Sequence, residues 1–248
     1  MSPSNLQLIA LTNSKENLFD AATRHIFMNP SNCQEKSSFF SIHTIDMKCK
    51  FNSLGSSCEV LDFVVNTHGS KIGETVDETG KKIKQVSSPI KKLLIINQQT
   101  LFLPQNLAET LPKLTELLIS DSGFFQIDQG MLAGFKFLIL LKVTDNKIRE
   151  IPEQFMSDNN TLKDLNLTAN RIEMIAERAF SYLGVLENLD LSHNLLISLQ
   201  SEVFSSLSSL KILKLNGNML QFLAPRMFYE ILELISLDIS SKFDIFSK

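Results

Sequence analysis

Leucine and isoleucine recur at a fixed interval over residues 90–239 of this 248-residue chain. The clearest unit places Leu162, Leu165 and Leu167 ahead of Asn170, and Phe180 follows. In an extended segment, side chains two residues apart point the same way, so the Leu-x-Leu step predicts a short strand with one buried face. Seven such units follow one another 24 residues apart, beginning at Ile90, Leu114, Leu138, Leu162, Leu186, Leu210 and Leu234.

The unit has the form L-x-x-L-x-L-x-x-N-x-L, which resembles the signature of a leucine-rich repeat. One unit cannot bury its apolar face alone, so neighbouring units stack and share a core. We therefore expect an α/β-type solenoid, a leucine-rich repeat horseshoe whose strands form a parallel sheet on the concave side. The repeats occupy residues 90–248, about seven in number, with the last one incomplete. A coiled coil would need a heptad period instead.

Asparagine and phenylalanine also hold fixed places in the unit. The ninth-position asparagine is predicted to satisfy backbone groups of the turn after the strand and of a neighbouring repeat. The phenylalanines are expected to fill the core behind the convex side. These residues are Asn146, Asn170, Asn194 and Asn218, and Phe155, Phe180, Phe204 and Phe228. The first two repeats depart from the pattern, with Gln98 and Ser122 at the ninth position.

Two regions precede the repeats. Residues 1–46 form a leader of uncertain structure, and residues 47–89 are expected to form an N-terminal cap, with a polar loop or irregular hairpin at 66–89. Cys49 and Cys58 lie nine residues apart, which suits a β-hairpin closed by a disulfide. The alternative is two free buried thiols. Cys33 is the odd cysteine, either free or paired with another chain.

The two ends of the sequence bear on partners and location. Lys242 replaces the asparagine in the last unit and no cysteine cap follows, so we expect either a fragment or a C-terminal end covered by a partner or a second copy. The short apolar run at 6–11 has no Lys or Arg before it, which is unlike a secretory signal. That observation favours a cytoplasmic location, or a true start upstream of the first residue given.

Charge and motif content exclude several functional classes. A net charge of −3 gives no reason to expect nucleic acid as a partner. No apolar run reaches about 18 residues, so no membrane span is predicted. The four histidines are scattered, and no sequence motif of a hydrolase, metalloprotease or phosphate-binding loop occurs. We therefore predict a non-enzymatic protein with no cofactor and no metal.

Two sequons occur, and they matter only in a secreted protein. Asn159, in Asn159-Asn160-Thr161, is placed by the repeat pattern in the convex-side loop, where a sugar would be well accommodated. Asn166 lies between Leu165 and Leu167, so it is expected to point out of the concave face. A glycan there would obstruct binding in that part of the face.

The concave face itself is the candidate binding surface. Its N-terminal end is unusual because apolar residues stand at positions that should be exposed, and such patches mark contacts. We predict that a protein ligand binds there, with two charged residues at a polar rim. The alternative is that residues 1–48 or 66–89 fold across this end and bury the patch. The predicted contact residues are Leu94, Ile96, Leu118, Leu140, Lys142 and Asp145.

Residues 47–240 resemble the extracellular leucine-rich repeat proteins of insects, and among them the leucine-rich immune proteins of flies and mosquitoes. The resemblance rests on Cys49-Lys50-Phe51, Cys58, the run at 103–107 and the 24-residue units. It implies a secreted, disulfide-bonded and glycosylated protein that binds other proteins in innate immune recognition.

Two other functions compete with this extracellular recognition module. One is an intracellular scaffold or adaptor, which the weak signal sequence favours. The other is the ectodomain fragment of a leucine-rich repeat receptor. The sequons and the cysteine pair favour an extracellular or cell-surface location.

Overall fold

A computed structural model describes residues 43–240 of the chain, apart from 84–88, 129–131, 133, 158 and 225. Nearly all of the predicted leader, together with Cys33 and the chain beyond residue 240, lies outside the described residues. The described part contains the strands β1 (Thr44–Phe51), β2 (Ser57–Leu61), β3 (Val64–Val65), β4 (Lys71–Asp77), β5 (Lys92–Ile96), β6 (Gln99–Thr100), β7 (Glu116–Ser120), β8 (Leu140–Thr144), β9 (Glu150–Ile151), β10 (Asp164–Asn166), β11 (Met174–Ile175), β12 (Asn188–Asp190), β13 (Ile212–Lys214) and β14 (Ser236–Asp238), and the helical turn α1 (Leu107–Thr110).

One long sheet runs through the repeats. Within the described residues its order is β4-β1-β2-β5-β7-β8-β10-β12-β13-β14, and from β2 to β14 each strand pairs in parallel with the next. Leu93 aligns with Leu117, and Leu117 with Leu141. Every aligned pair from β5 onward differs by 24 residues, which confirms the predicted repeat length and the solenoid.

The leucines of the repeat form the core, as their spacing predicts. In β5, β7 and β8 buried and half-buried residues alternate along the strand. Leu167, Leu191 and Leu215 follow their strands and are completely buried. Burying one such side chain is worth about 1.5–3 kcal/mol before the entropy of ordering it is counted. Stacking neighbours therefore supplies the burial that a single unit lacks.

The phenylalanines form a column within the core. Successive ring centroids from Phe155 through Phe180 and Phe204 to Phe228 lie 6.1, 6.3 and 6.4 Å apart. The last two pairs are stacked, whereas Phe155 meets Phe180 edge-on. Phe155 stands one place earlier in its repeat than the others, and Met156 holds the equivalent place. The predicted role in the core is confirmed, although Phe228 is only partly buried.

The ninth-position asparagines join each repeat to the one before it. Asn194 Nδ2 donates to the carbonyl oxygens of Leu167, Leu191 and Ser192 at 3.0–3.1 Å, and Oδ1 accepts from the backbone N–H of Ile172 at 3.0 Å. Both Leu167 and Ile172 belong to the preceding repeat. Asn146, Asn170 and Asn218 make the same kinds of contact. The predicted role of these amides is confirmed.

The atypical first repeats keep the same bridging role with other side chains. Ser122 Oγ donates to the carbonyl of Ile95 at 3.1 Å, one repeat back. Gln98, with a longer side chain, accepts a hydrogen bond at Oε1 from the backbone N–H of Phe63 at 2.8 Å. Gln98 therefore ties the first repeat to the cap, where no preceding repeat exists.

The cap is the predicted hairpin. β1 and β2 pair antiparallel, and the Asn52 carboxamide accepts from the backbone N–H groups of Ser56 and Ser57 in the turn between them. Cys49 and Cys58 are joined by a disulfide, with 5.2 Å between their Cα atoms. Both side chains are fully buried. The bond fixes the hairpin that covers the first repeat.

Of the two alternatives for residues 66–89, a polar loop is wrong for the central part, and an irregular hairpin is present at 75–83, where Val76 bridges Lys82 antiparallel. Residues 71–77 form β4, which pairs in parallel with β1 and becomes the edge of the sheet. Ile72 and Val76 are its buried residues. Asn106 makes both backbone hydrogen bonds to Ile72, donating to its carbonyl at 2.9 Å and accepting from its N–H at 2.7 Å. The polar, glycine-containing composition of this segment did not predict β4, because the partners of this strand are distant in sequence.

The other edge of the described sheet is β14. Its core residue Leu237 is 37 % exposed, whereas the equivalent Leu189 and Leu213 are 1 % and 0 % exposed. The exposure arises because a described repeat packs on only one side of β14. The expectation of a partner or second copy at this end stays a prediction.

Candidate functional site

The strand register sorts the outward-pointing side chains of the sheet into rows. We call this exposed surface the sheet face; in a leucine-rich repeat solenoid it is the concave side. One row passes through the third position of each unit, one through the fifth and one through the seventh. The fifth-position row runs Leu94, Leu118, Lys142, Asn166, Asp190, Lys214 and Asp238.

The four apolar residues predicted as a patch lie together on this face. Leu94 and Leu118 are directly aligned on β5 and β7. Ile96 and Leu140 are diagonal neighbours of Leu118, because they are aligned with Ser120 and Glu116, two residues from it on β7. Diagonal neighbours lie roughly 7–8 Å apart, within reach of long side chains. We call these four residues the sheet patch; all are half-buried.

The two predicted rim residues occupy different surroundings. Lys142 is aligned with Leu118 and borders the sheet patch directly. Asp145 is exposed at the exit of β8, with a left-handed φ of 56°. The equivalent Asn97, Asp121 and Ala169 share that conformation, with φ between 47° and 54°. Asparagine and aspartate tolerate it best after glycine, so the turn itself accounts for an aspartate at this place.

The segments considered as a cover for the patch extend the sheet sideways where they are described. β1 and β4 lie beyond β2 in the plane of the sheet.

The fifth-position row of the sheet face continues into the cap, which the sequence pattern did not predict. Glu59 is aligned with Leu94, and Lys50 with Glu59. No periodic signal pointed to these two residues, since the hairpin lies outside the 24-residue register.

Polar side chains on the sheet face pair with one another between neighbouring repeats. Lys92 Nζ lies 2.8 Å from Glu116 Oε2 beside the sheet patch. Lys214 Nζ lies 3.5 Å from Asp190 Oδ2 further along. Thr168 Oγ1 and Ser192 Oγ are 2.8 Å apart. Several polar side chains in the C-terminal half of the sheet face therefore pair with one another, although Ile212 is apolar and 37 % exposed and the buried Asn216 Oδ1 has no hydrogen-bond partner among the described residues.

A charged cluster lies at the second position of the repeats, just before the strands. Glu187 bridges Lys163 and Lys211, with both N–O distances 2.8 Å. Hydrogen bonds from these two lysines lower the pKa of Glu187 from 4.5 to about 2. The same contact raises the pKa of Lys211. The cluster ties three successive repeats together at the surface.

The expectation that Asn159 is accessible to a sugar is wrong. Asn159 is 2 % exposed and stands at a place that is apolar in the other repeats, such as Phe135 and Leu183. Its Nδ2 donates to the carbonyls of Phe135 at 2.8 Å and Leu138 at 3.2 Å, and its Oδ1 accepts from the N–H of Leu162 at 2.7 Å. The nitrogen that a glycan would need is therefore engaged inside the fold.

Asn166 lies on the sheet face, as its place in the strand predicts. It is half-buried on β10, and its Oδ1 accepts from the N–H of Thr168 at 2.9 Å. Glycosylation of Asn166 stays a prediction.

The described residues contain no group of three or more His, Cys, Asp or Glu placed to hold a metal ion. Within the same part of the chain, no helix is long and apolar enough to cross a membrane.

Sequence comparison agrees with the repeat geometry. The leucine-rich repeat model matches four overlapping segments, 112–172, 138–196, 160–220 and 184–241, which together cover just over half of the chain. The chain belongs to the leucine-rich repeat family. This fold is typically a non-enzymatic scaffold that binds other proteins through its extended concave surface.

Two solved structures show a similar fold. A chain in the glycosylated Toll–Spätzle complex of Drosophila, described as a hub in development and innate immunity, is 19 % identical with a TM-score of 0.58. A leucine-rich repeat protein of Leptospira interrogans is 24 % identical with a TM-score of 0.53. Each match covers 63 % of this chain, but only 21 % of the first protein's chain and 45 % of the second's. No curated protein matches this sequence.

Proposed function

We propose that this chain is an extracellular recognition module of innate immunity that binds a protein ligand through the sheet patch. The observation that carries the proposal is the alignment of Leu94 with Leu118, flanked diagonally by Ile96 and Leu140. Binding a partner that removes adjacent apolar side chains from water is favourable, because it lowers the free energy of the system.

The surroundings of the sheet patch suit a protein interface. Protein interfaces commonly have an apolar centre and a polar rim. Lys142 borders the patch on one side and Glu59 on the other, because each is aligned with one of the two central leucines. A ligand seated on Leu94 and Leu118 would therefore meet a cation at one end and a carboxylate at the other. Asp145 extends the charged rim at the strand exit.

Three observations support an extracellular role. The Cys49–Cys58 disulfide closes the cap, and disulfides persist mainly in oxidising compartments. The Asn166 sequon lies on the sheet face, where it is half-buried rather than enclosed. The fold is similar to that of a chain in the Toll–Spätzle complex, whose description names innate immunity. A secreted protein related to the leucine-rich immune proteins of insects accounts for all three.

A pair of matched variants tests the ligand site. Leu118→Asp places a charge in the middle of the sheet patch, and Ile212→Asp makes the same kind of change on β13 of the same face, where the side chain is 37 % exposed. We expect Leu118→Asp to abolish capture of the natural partner and Ile212→Asp to leave that capture unchanged. Circular dichroism should show that both variants are folded. Loss of capture with Ile212→Asp alone would place the site in the wrong half of the face.

The compartment is tested separately with protein from its native source. Expected findings are a Cys49–Cys58 linkage and a glycan on Asn166. Two free thiols and a bare Asn166 would instead favour the intracellular scaffold or adaptor.

A further inference from the structure

A second exposed surface differs in chemistry from the sheet patch. Phe137 is 47 % exposed and Ile139 is 43 % exposed, and both lie just before β8. They belong to what we call the ascending flank, the side on which the chain enters each strand, at positions 23, 24 and 2 of the unit. We name Lys113, Lys136, Phe137 and Ile139 the ascending-flank patch.

The repeat fold does not require apolar residues at these places. Ile139 stands in one hydrogen-bonded ladder between Thr115 and Lys163, since its N–H donates to the carbonyl of Thr115 and the N–H of Lys163 donates to its carbonyl. Thr161 holds the place equivalent to Phe137 in the next repeat. Polar side chains therefore serve at the equivalent places on either side, so the fold does not explain why Phe137 and Ile139 are apolar.

Positive charge concentrates around these two side chains. From residue 91 to residue 163, the three flank positions hold four lysines and no carboxylate; the lysines are Lys91, Lys113, Lys136 and Lys163. This segregation contrasts with the net charge of −3 for the whole chain. Lys113 Nζ lies 4.5 Å from the centroid of the Phe137 ring. Among the described residues, neither Lys113 nor Lys136 forms an ion pair with a carboxylate.

The first carboxylate along this flank marks where the patch ends. Glu187 stands one repeat beyond Lys163 and pairs with both Lys163 and Lys211. Glu187 thus offsets part of the positive charge from the fourth repeat onward, whereas the lysines beside Phe137 and Ile139 have no carboxylate partner among the described residues. An exposed apolar pair next to such lysines matches a ligand that carries both apolar side chains and negative charge.

We propose that the ascending-flank patch binds an acidic segment of a protein partner. An aromatic or aliphatic side chain of that segment packs on Phe137 and Ile139, and its carboxylates pair with Lys113 and Lys136. The site lies outside the sheet face and its occupancy does not depend on the sheet patch, although Ile139 adjoins Leu140 in sequence. One ligand long enough to cross this edge could occupy both.

Fluorescence anisotropy with the full chain and three labelled peptides tests the proposal. The first peptide has a central phenylalanine–leucine pair flanked by aspartates and glutamates. In the second, serines replace the central pair, and in the third, lysines replace the acidic residues. We expect the first peptide to bind, and to bind more weakly as salt screens its charges. The other two are expected to bind at least about tenfold more weakly.

Matched variants locate the contact. Lys113→Glu with Lys136→Glu reverses the charge at these two positions, and Phe137→Thr with Ile139→Thr introduces a residue type that neighbouring repeats carry at these places. Each pair is expected to weaken binding of the first peptide about tenfold. The controls are on the opposite flank, where the chain leaves the strands: Arg149→Glu with Arg171→Glu, and Ile197→Thr, all at exposed positions, should leave binding unchanged.

Two results would overturn the inference. The first is absence of binding by the acidic, apolar peptide, and the second is equal loss of binding in the control variants. If the first result is obtained and vesicles containing phosphatidylserine capture the chain through the same four side chains, the surface binds a membrane instead. Leu118→Asp is expected to leave peptide binding unchanged. Loss of peptide binding at the ascending-flank patch and loss of partner binding at the sheet patch can therefore be told apart.

Discussion

Replacing Asn194 by alanine is expected to weaken the solenoid by breaking the link between its fourth and fifth repeats. Asn194 is 3 % exposed, and its amide nitrogen donates to three carbonyls while its oxygen accepts from one N–H. Alanine removes all four contacts. It leaves the buried N–H of Ile172 without its partner, whereas the carbonyls of Leu167 and Leu191 each keep a donor in the amide of Asn170 or Asn218.

The size of the loss follows from those groups. A buried donor or acceptor left without its partner costs about 1–3 kcal/mol. With one such group, and weaker losses at carbonyls that keep another donor, we expect the free energy of unfolding to fall by roughly 2–4 kcal/mol. That is a large part of the ~5–15 kcal/mol typical of a folded domain. For a domain of this size it corresponds to a fall in Tm on the order of 10 °C.

Urea and thermal unfolding followed by circular dichroism would measure the loss, with Asn160→Ala as the control at an exposed asparagine. Hydrogen exchange should show the first loss of protection in the repeats that contain Ile172 and Asn194, because each repeat contacts only its neighbours. A fall below about 1 kcal/mol, or one equal to that of Asn160→Ala, would refute the account of the asparagine as the link between repeats.

Three other predictions concern the cap, the sequons and acid. Cys49→Ser is expected to destabilise the chain by about 2–4 kcal/mol relative to the oxidised wild type in urea unfolding, and reduction of the wild type should produce most of the same loss. In protein secreted from insect cells, glycopeptide mass spectrometry should find a sugar on Asn166 and none on Asn159; a sugar on Asn159 would contradict its buried hydrogen bonds. The pKa of Glu187 is lowered from 4.5 to about 2 in the folded chain. Its contribution to the free energy of unfolding is therefore complete above pH 4.5 and is lost as the pH falls to 2. Glu187→Gln should therefore flatten the decline of the urea midpoint across that range, and an unchanged decline would argue against the bridge to Lys163 and Lys211.

The solenoid, its period and most of its core could be predicted from the amino-acid pattern alone. The burial of a leucine such as Leu191 can be predicted from its position in the unit, since the equivalent residues of the neighbouring repeats are buried as well. The role of Asn194 was readable for the same reason. The sheet patch could also be predicted, because alignment across strands follows directly once the 24-residue register is known.

The features that lie outside that register depend on contacts between parts of the chain that are distant in sequence. β4 gains its place from pairing with β1 and from the carboxamide of Asn106, thirty-four residues away from Ile72. Asn159 carries a sequon, yet the carbonyls of Phe135 and Leu138 draw its amide into the core. Periodicity reports which side chains share a face, whereas these contacts depend on which unrelated backbone groups are left without a partner when the chain is packed. A buried carbonyl or N–H needs a hydrogen-bond partner, which can come from any part of the chain that packs beside it. A local sequence pattern therefore does not predict which residue provides that partner.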